Sequence, residues 1–192
     1  ITFDDGFQDL ADTAWPVMKA LGFRPIVYLP TNYIGGREGW RGIAAQPRKL
    51  MGWDTIRRLQ GEGVIFGSHT ESHPDLDALD GDAVEAELTR SRDRIAAELG
   101  VMPVHFAPPY GIAGKATQAR IAQYYRSSVG TRLASAGPAS ERFDLPRLEM
   151  FYFTDPARWR AHLAGRGAAY LAARRGLRAV RGAVMKPWKG IA

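Results

Sequence analysis

The sequence predicts an α/β fold built on mostly parallel strands. Three observations predict it. Short apolar runs alternate with helical stretches along the chain. At 192 residues the chain suits one globular domain with a sizeable core and at most a short appendage. The residues best suited to chemistry, Asp4-Asp5, His69 with His73, and Pro108-Pro109, each stand just after a predicted strand. In barrels of parallel strands that is the end where functional groups gather.

Taken in order, Ile1 to Phe3 reads as the end of a strand entering a loop at Asp4. Thr13 is placed to cap a helix that carries Pro16 in its first turn and stops at Gly22. Pro25 to Leu29 reads as a buried strand closed by Pro30. Thr31 to Met51, rich in Gly and polar residues, is a long connection of the kind that faces a substrate. Trp53 to Gln60 is helical, and Val64 to Gly67 is a short strand delivering Ser68 and His69 to a loop. Asp80 to Leu99 is the clearest helix, with Val84, Leu88, Ile95 and Leu99 near helical spacing, charges on the other face and Gly100 as its stop. Val104 to Phe106 is a strand, Thr117 to Tyr125 a helix and Ser127 to Gly130 a strand. Leu145 to Phe151 is strand-like, with Phe151-Tyr152-Phe153 read as strand packing. From Pro156 the chain becomes a basic helix interrupted by Gly165, Gly167, Gly176 and Gly182.

Composition narrows the function. No cysteine is present, so no disulfide and no thiolate zinc site can form. No apolar run is long enough to span a bilayer. The formal net charge is +6. The excess collects after Gly165, where Arg166, Arg174, Arg175, Arg178, Arg181, Lys186 and Lys189 meet no acidic residue. Such a segment is either a solvated helix face or a contact for an anionic membrane surface or acidic polymer. A nucleic-acid partner is not expected. The chain opens on Ile directly before the Asp pair, and we expect further sequence ahead of it. Location, bacterial cytoplasm or cell envelope, stays open, as does oligomeric state.

Adjacent carboxylates leaving a strand point in different directions, so Asp4 and Asp5 can take different roles. One can bind a cation while the other stays available as a base, with Gly6 turning the backbone behind them. Alone, an Asp-Asp-Gly sequence is also an ordinary surface turn. His69 and His73, four residues apart, would share one side of a helical turn and could bind one ion. With one carboxylate they make a two-His, one-Asp facial set that suits several divalent ions and leaves positions open for water and substrate. Trp40, in the long connection, could stack on a sugar ring, although aromatics more often pack.

The combination says more than its parts. Thr2-Phe3-Asp4-Asp5-Gly6 is followed by Ser68-His69-Thr70-Glu71-Ser72-His73-Pro74, and then by Phe106-Ala107-Pro108-Pro109-Tyr110-Gly111. In these three ordered motifs the sequence resembles the polysaccharide deacetylase family, also called the NodB-homology or carbohydrate esterase family 4 domain. The resemblance implies a distorted (β/α)7-type barrel over residues 1–155, with its first strand truncated, followed by a basic helical segment over 156–192. It implies that Asp5, His69 and His73 hold a divalent metal, usually zinc, and that Asp4 is the general base. It also implies that the Tyr110 backbone N–H helps hold the oxyanion while an N-acetylated carbohydrate is hydrolysed.

Two departures from the family pattern stand out. The late Leu-x-His motif that usually supplies the acid is missing, which leaves His105 and His162 as weak candidates. Where Arg often precedes the Pro-Pro pair, Ala107 stands instead, and Arg147 in Asp144-Leu145-Pro146-Arg147-Leu148 is the candidate tether for Asp4. Both departures resemble the branch with a Phe-Ala-x-Pro-Tyr-Gly third motif and a later Leu-Pro-Arg. Two other readings remain at this point. One is a NodB-like hydrolase of small cyclic amides or imides, and the other is a catalytically silent carbohydrate-binding domain.

Overall fold

The computed structural model describes residues 1–40 and 46–184. Contacts divide the chain into two compact units, Ile1–Gly130 with Ala139–Leu145, and Thr131–Pro138 with Pro146–Ala192. No described helix is long and apolar enough to cross a membrane.

Along the chain to Arg147, strand and helix alternate as expected. Strand β1 (Thr2–Phe3) leads through a π-helical turn at Leu10–Ala14 into helix α1 (Trp15–Ala20). Thr13 lies inside that turn and caps nothing, because the helical path starts upstream, where Leu10 and Ala11 are buried. Strand β2 (Ile26–Leu29), helix α2 (Trp53–Gly61), strand β3 (Ile65–Ser68), helix α3 (Gly81–Leu99), strand β4 (His105–Phe106), helix α4 (Lys115–Tyr124), strand β5 (Ser127–Leu133) and strand β6 (Leu145–Arg147) follow. The sheet runs β1 to β6 in sequence order. The pairs from β1 to β5 are all parallel, with Phe3 opposite Val27, Leu29 opposite Ser68 and Ser68 opposite Phe106. This registration brings the ends of β3 and β4 level, and with them His69 and Ala107, while β1 ends two residues earlier in the register, just before Asp4.

The two sides of the sheet bury different residues. On one side Trp15, Val27, Leu29, Ile56, Leu59, Phe66 and Ile95 form a core under α1 and α2. A second cluster joins Val84, Leu88, Phe106, Ile121 and Tyr125. On the other side a smaller cluster contains Tyr28, Ala107 and Val129. Helix α3 begins at Asp80, whose carboxylate accepts from the Ala83 amide at 2.8 Å, and ends at Gly100 in the left-handed region. Its buried stripe is Val84, Glu87, Leu88, Ser91 and Ile95, so one carboxylate lies on the core-facing side. That corrects the expectation that charges occupy only the opposite face.

In the second unit, helix α5 (Pro156–Ala161) and helix α6 (Ala168–Val184) are separated by a π-helical turn kinked at Gly165. Gly176 does not interrupt α6. Residues 150–153 form a 3₁₀ turn in place of the expected strand, since the chain closes on itself with Tyr152 N–H donating to Glu149 O at 3.0 Å. The turn buries Phe153 with Leu133 and Leu171 and leaves Phe151 exposed. Lys186 and Lys189 lie outside the described residues.

Candidate metal centre

Backbone geometry builds the site before any side chain does. Asp5, Thr70, His73 and Tyr110 are the non-glycine residues with positive φ among the described residues, at 71°, 71°, 59° and 60°. All four belong to the three motifs. Each such residue costs on the order of 1–3 kcal/mol, and such costs concentrate at functional sites. The histidine loop is therefore not the helical turn expected from the four-residue spacing. It is an irregular loop at the end of β3, turned by two left-handed residues.

Hydrogen bonds hold these loops. Gly6 N–H donates to Asp4 O at 2.9 Å, and Met51 N–H to Gly6 O at 2.9 Å. Any side chain on Gly6 (φ +69°) would meet Leu29 Cδ2 at 2.8 Å. His69 N–H donates to Leu29 O at 3.0 Å, and Ala107 N–H to Ser68 O at 3.0 Å. Thr70 Oγ1 donates to His69 O and accepts from the His73 amide at 3.0 Å, closing the loop around both imidazoles.

The three expected ligands converge. Asp5 Oδ1 lies 3.3 Å from His69 Nε2 and 3.4 Å from His73 Nε2. Two ligands of one tetrahedral ion, bound at roughly 2.0–2.1 Å, stand about 3.4 Å apart. Asp5 Oδ1 and His73 Nδ1 are buried without a hydrogen-bond partner, so the oxygen facing two imidazole nitrogens suits a cation. His69 Nδ1 lies 2.6 Å from the Ala107 carbonyl oxygen. A carbonyl only accepts, so Nδ1 carries the proton and the Nε2 lone pair turns inward, the usual support for a ligating histidine. Asp5, His69 and His73 therefore fit a metal ion.

The electrostatics agree. Burial raises the Asp5 pKa, but its contacts with His69 and His73 outweigh burial and hold it well below the usual carboxylate range. Burial lowers the His69 pKa, yet Asp5 and Asp4 together raise it above the ordinary histidine value. Burial dominates at His73 and lowers its pKa. Two carboxylates and two imidazoles in one niche favour a positive charge between them.

Aromatic rings wall the niche. Trp40 stacks on His73 at 4.3 Å and 26°, and Tyr33 meets Trp40 edge-on at 5.0 Å. Tyr110 meets His73 edge-on at 4.9 Å. The long connection thus lies against the candidate site as expected, but Trp40 covers the His73 ring. His105 Nδ1 is paired with Ser127 Oγ at 2.9 Å, and burial followed by the Arg126 charge lowers its pKa. His162, half-buried, stacks on Trp159 at 5.5 Å and packs beside Phe153 in the second unit. Arg147 closes β6.

One participant escaped the sequence reading. Glu87 Oε2 accepts from the Glu71 and Ser72 amides at 2.8 and 2.9 Å, and Oε1 accepts from Ser72 Oγ. Its signal was its position, three residues after Val84 and one before Leu88 on the apolar stripe of α3.

The profile of a family described as polysaccharide deacetylase matches residues 1–127, which carry Asp5, His69, His73 and all three motifs. The chain belongs to the polysaccharide deacetylase family. A chitin deacetylase from Pestalotiopsis sp is 26% identical over 110 residues, covering 57% of this chain and 33% of the relative. A chitooligosaccharide deacetylase from Rhizobium leguminosarum bv. trifolii is 34% identical over 58 residues, covering 30% of this chain and 27% of the relative. The chain spans about a third of the length of such curated relatives. IcaB from Ammonifex degensii superposes with a TM-score of 0.69 at 22% identity, over 87% of this chain and 72% of that one. The Streptococcus pyogenes deacetylase PplD, solved with acetate, gives 0.68 at 24% identity, over 77% and 62%. These likenesses establish the α/β barrel fold of the deacetylase family for this chain.

Proposed function

We propose that this polysaccharide deacetylase family member is a metal-dependent hydrolase that removes N-acetyl groups from an amino-sugar polysaccharide or oligosaccharide. The observation that carries the reading is the convergence of Asp5 Oδ1 on both imidazole Nε2 atoms, with Asp4 next in the chain.

Asp5, His69 and His73 would hold the ion, with zinc the first choice for a nitrogen and oxygen donor set. When bound, the ion supplies a Lewis acid that lowers the pKa of water and polarises the acetamide carbonyl. Asp4, at the end of β1, accepts the proton of the attacking water. The Tyr110 N–H, presented by a left-handed residue, donates to the oxygen that gains charge on the acetyl carbon. The C–N bond then breaks, and the amine leaves with a proton. The proton Asp4 accepted balances that step, so His105 can remain with Ser127. Arg147 is assigned as the residue that orients Asp4. The Phe106-Ala107-Pro108-Pro109-Tyr110-Gly111 motif and Leu145-Pro146-Arg147 support this role, since they resemble the branch with the later arginine.

The test is acetate release from chitooligosaccharides by protein stripped with a chelator and reloaded with zinc or cobalt. Acetate release that depends on metal and is lost in Asp4→Asn is expected. Absence of metal binding would overturn the reading. Metal binding with turnover only on cyclic imides would move the substrate class. Metal binding without turnover on either panel, unchanged by Asp4→Asn, would make the chain a binding domain.

A further inference from the structure

Burying a carboxylate in a helix's core-facing stripe is costly unless its oxygens are satisfied. Glu87 occupies such a place, 9% exposed between Val84 and Leu88 on α3. Among the described residues no cation is paired with it. Its partners are the Glu71 amide, the Ser72 amide and the Ser72 hydroxyl. All three belong to the loop between His69 and His73. Two consecutive amides aimed at one carboxylate oxygen fix the peptide planes between residues 70 and 72. Those planes lie between two left-handed residues, Thr70 and His73.

Further contacts make the same connection. Ser91, one turn along α3, places its Oγ 2.7 Å from Ser68 Oγ, the residue before His69. Thr31 N–H donates to Thr70 O at 3.1 Å and Asn32 N–H to Glu71 O at 2.9 Å, which occupies the loop's outward carbonyls. The loop's amides therefore face α3 while its carbonyls face the β2 exit.

Resting on the metal reading above, we propose that Glu87 is a positioning residue for the metal site. It holds the loop in the left-handed path that points His69 and His73 at Asp5. It touches neither ligand ring, so it acts through the backbone. Residues that fix ligand orientation from behind typically change metal affinity 10- to 100-fold when removed.

The experiment measures zinc affinity by competition with a chromogenic chelator, alongside thermal unfolding of the metal-free protein. Glu87→Asp keeps the charge but withdraws the carboxylate by one methylene, so we expect zinc to bind about 10-fold or more weakly. Glu87→Ala should lose up to about 100-fold. Glu87→Gln keeps an acceptor oxygen for both amides, and zinc affinity should stay within about threefold of the wild type. The Glu71 and Ser72 amides should also lose hydrogen-exchange protection in Glu87→Ala. If Glu87→Ala does not fold, Glu87→Asp decides the matter. Unaltered zinc affinity in folded Glu87→Asp or Glu87→Ala overturns the proposal and leaves Glu87 as a stability residue. A wild-type protein that binds no zinc brings down the metal reading, and this inference with it.

Discussion

Replacing Gly67 by Ala tests whether the packing of β3 governs the metal site. Gly67 is buried on the strand that delivers Ser68 and His69. It stands opposite Tyr28 in the β2–β3 register. A Cβ added there would lie 2.7 Å from His105 O and 2.7 and 2.8 Å from two Tyr28 ring carbons. Ordinary carbon contacts lie near 3.5–4.0 Å, so something must yield by about 1 Å. Tyr28 is 1% exposed and cannot swing into free space, and His105 O belongs to the neighbouring strand's backbone. Overpacking of this kind costs about 1–3 kcal/mol, and weakening one strand hydrogen bond adds about 1 kcal/mol. The reduced entropy of the unfolded chain returns about 0.4–1 kcal/mol. The balance is a loss of about 1–4 kcal/mol, or a fall in Tm of roughly 3–15 °C for a chain of this size. Displacing β4 would also move Ala107 O, the 2.6 Å partner of His69 Nδ1, so zinc affinity should fall with stability. The assays are thermal unfolding of metal-free protein and zinc competition. A Gly67→Ala protein with an unchanged Tm would refute the packing argument. A lowered Tm with unchanged zinc affinity would refute the coupling of strand to site.

Other predictions separate the roles within the site. Asp4→Asn should lower kcat by about 10²–10⁴-fold, the usual worth of a general base, while zinc affinity changes little; chelator competition beside acetate release reads both. Asp5→Asn should instead abolish tight zinc binding, because it removes the negative charge that faces both imidazoles. Arg147→Ala should reduce turnover and leave zinc affinity unchanged, and unaltered turnover would remove Arg147 from the mechanism. Burial is the main cause that raises the Tyr125 pKa to about 12, and its hydroxyl donates to Leu88 O at 2.8 Å. The folded state thus favours the neutral phenol. Its contribution is complete below about pH 10 and is lost as pH rises through about 12, at most roughly 3 kcal/mol. Urea unfolding across that window should show a slope that Tyr125→Phe flattens. Arg175, Leu177 and Val180 are exposed on α6, which suits an anionic membrane surface. Cosedimentation with phosphatidylglycerol vesicles, lost on pure phosphatidylcholine or in high salt, would support that contact, and retention on an acidic polymer alone would refute it.

The alternation of strand and helix was legible because hydrophobic period and punctuation agree there. Asp80 and Gly100 bracket α3 at the positions that capping chemistry demands. The candidate metal ligands, Asp5, His69 and His73, were legible as residue types in order. Their geometry was not, since a four-residue spacing reads as helical and the loop instead turns through left-handed Thr70 and His73. Glu87 was hidden because a charge on a helix is assumed to face water. Backbone amides, which leave no mark in the sequence, were what drew it inward. Trp40 could be placed in a site-facing loop, but its stacking on His73 depends on tertiary folding. Phe151 to Phe153 had strand composition, and the packing of Phe153 with Leu171 overrode it.

The left-handed residues have a consequence for protein engineering. Asp5 and His73 present their side chains from backbone angles that most strands and helices cannot supply. Copying the three ligand identities onto another barrel would therefore transplant names without directions. A host would need the two turning loops, the carbonyl behind His69 and the acceptor behind residues 71 and 72 to hold Asp5, His69 and His73 in this arrangement. The portable unit is a scaffold of peptide planes, and the ligands are its last addition.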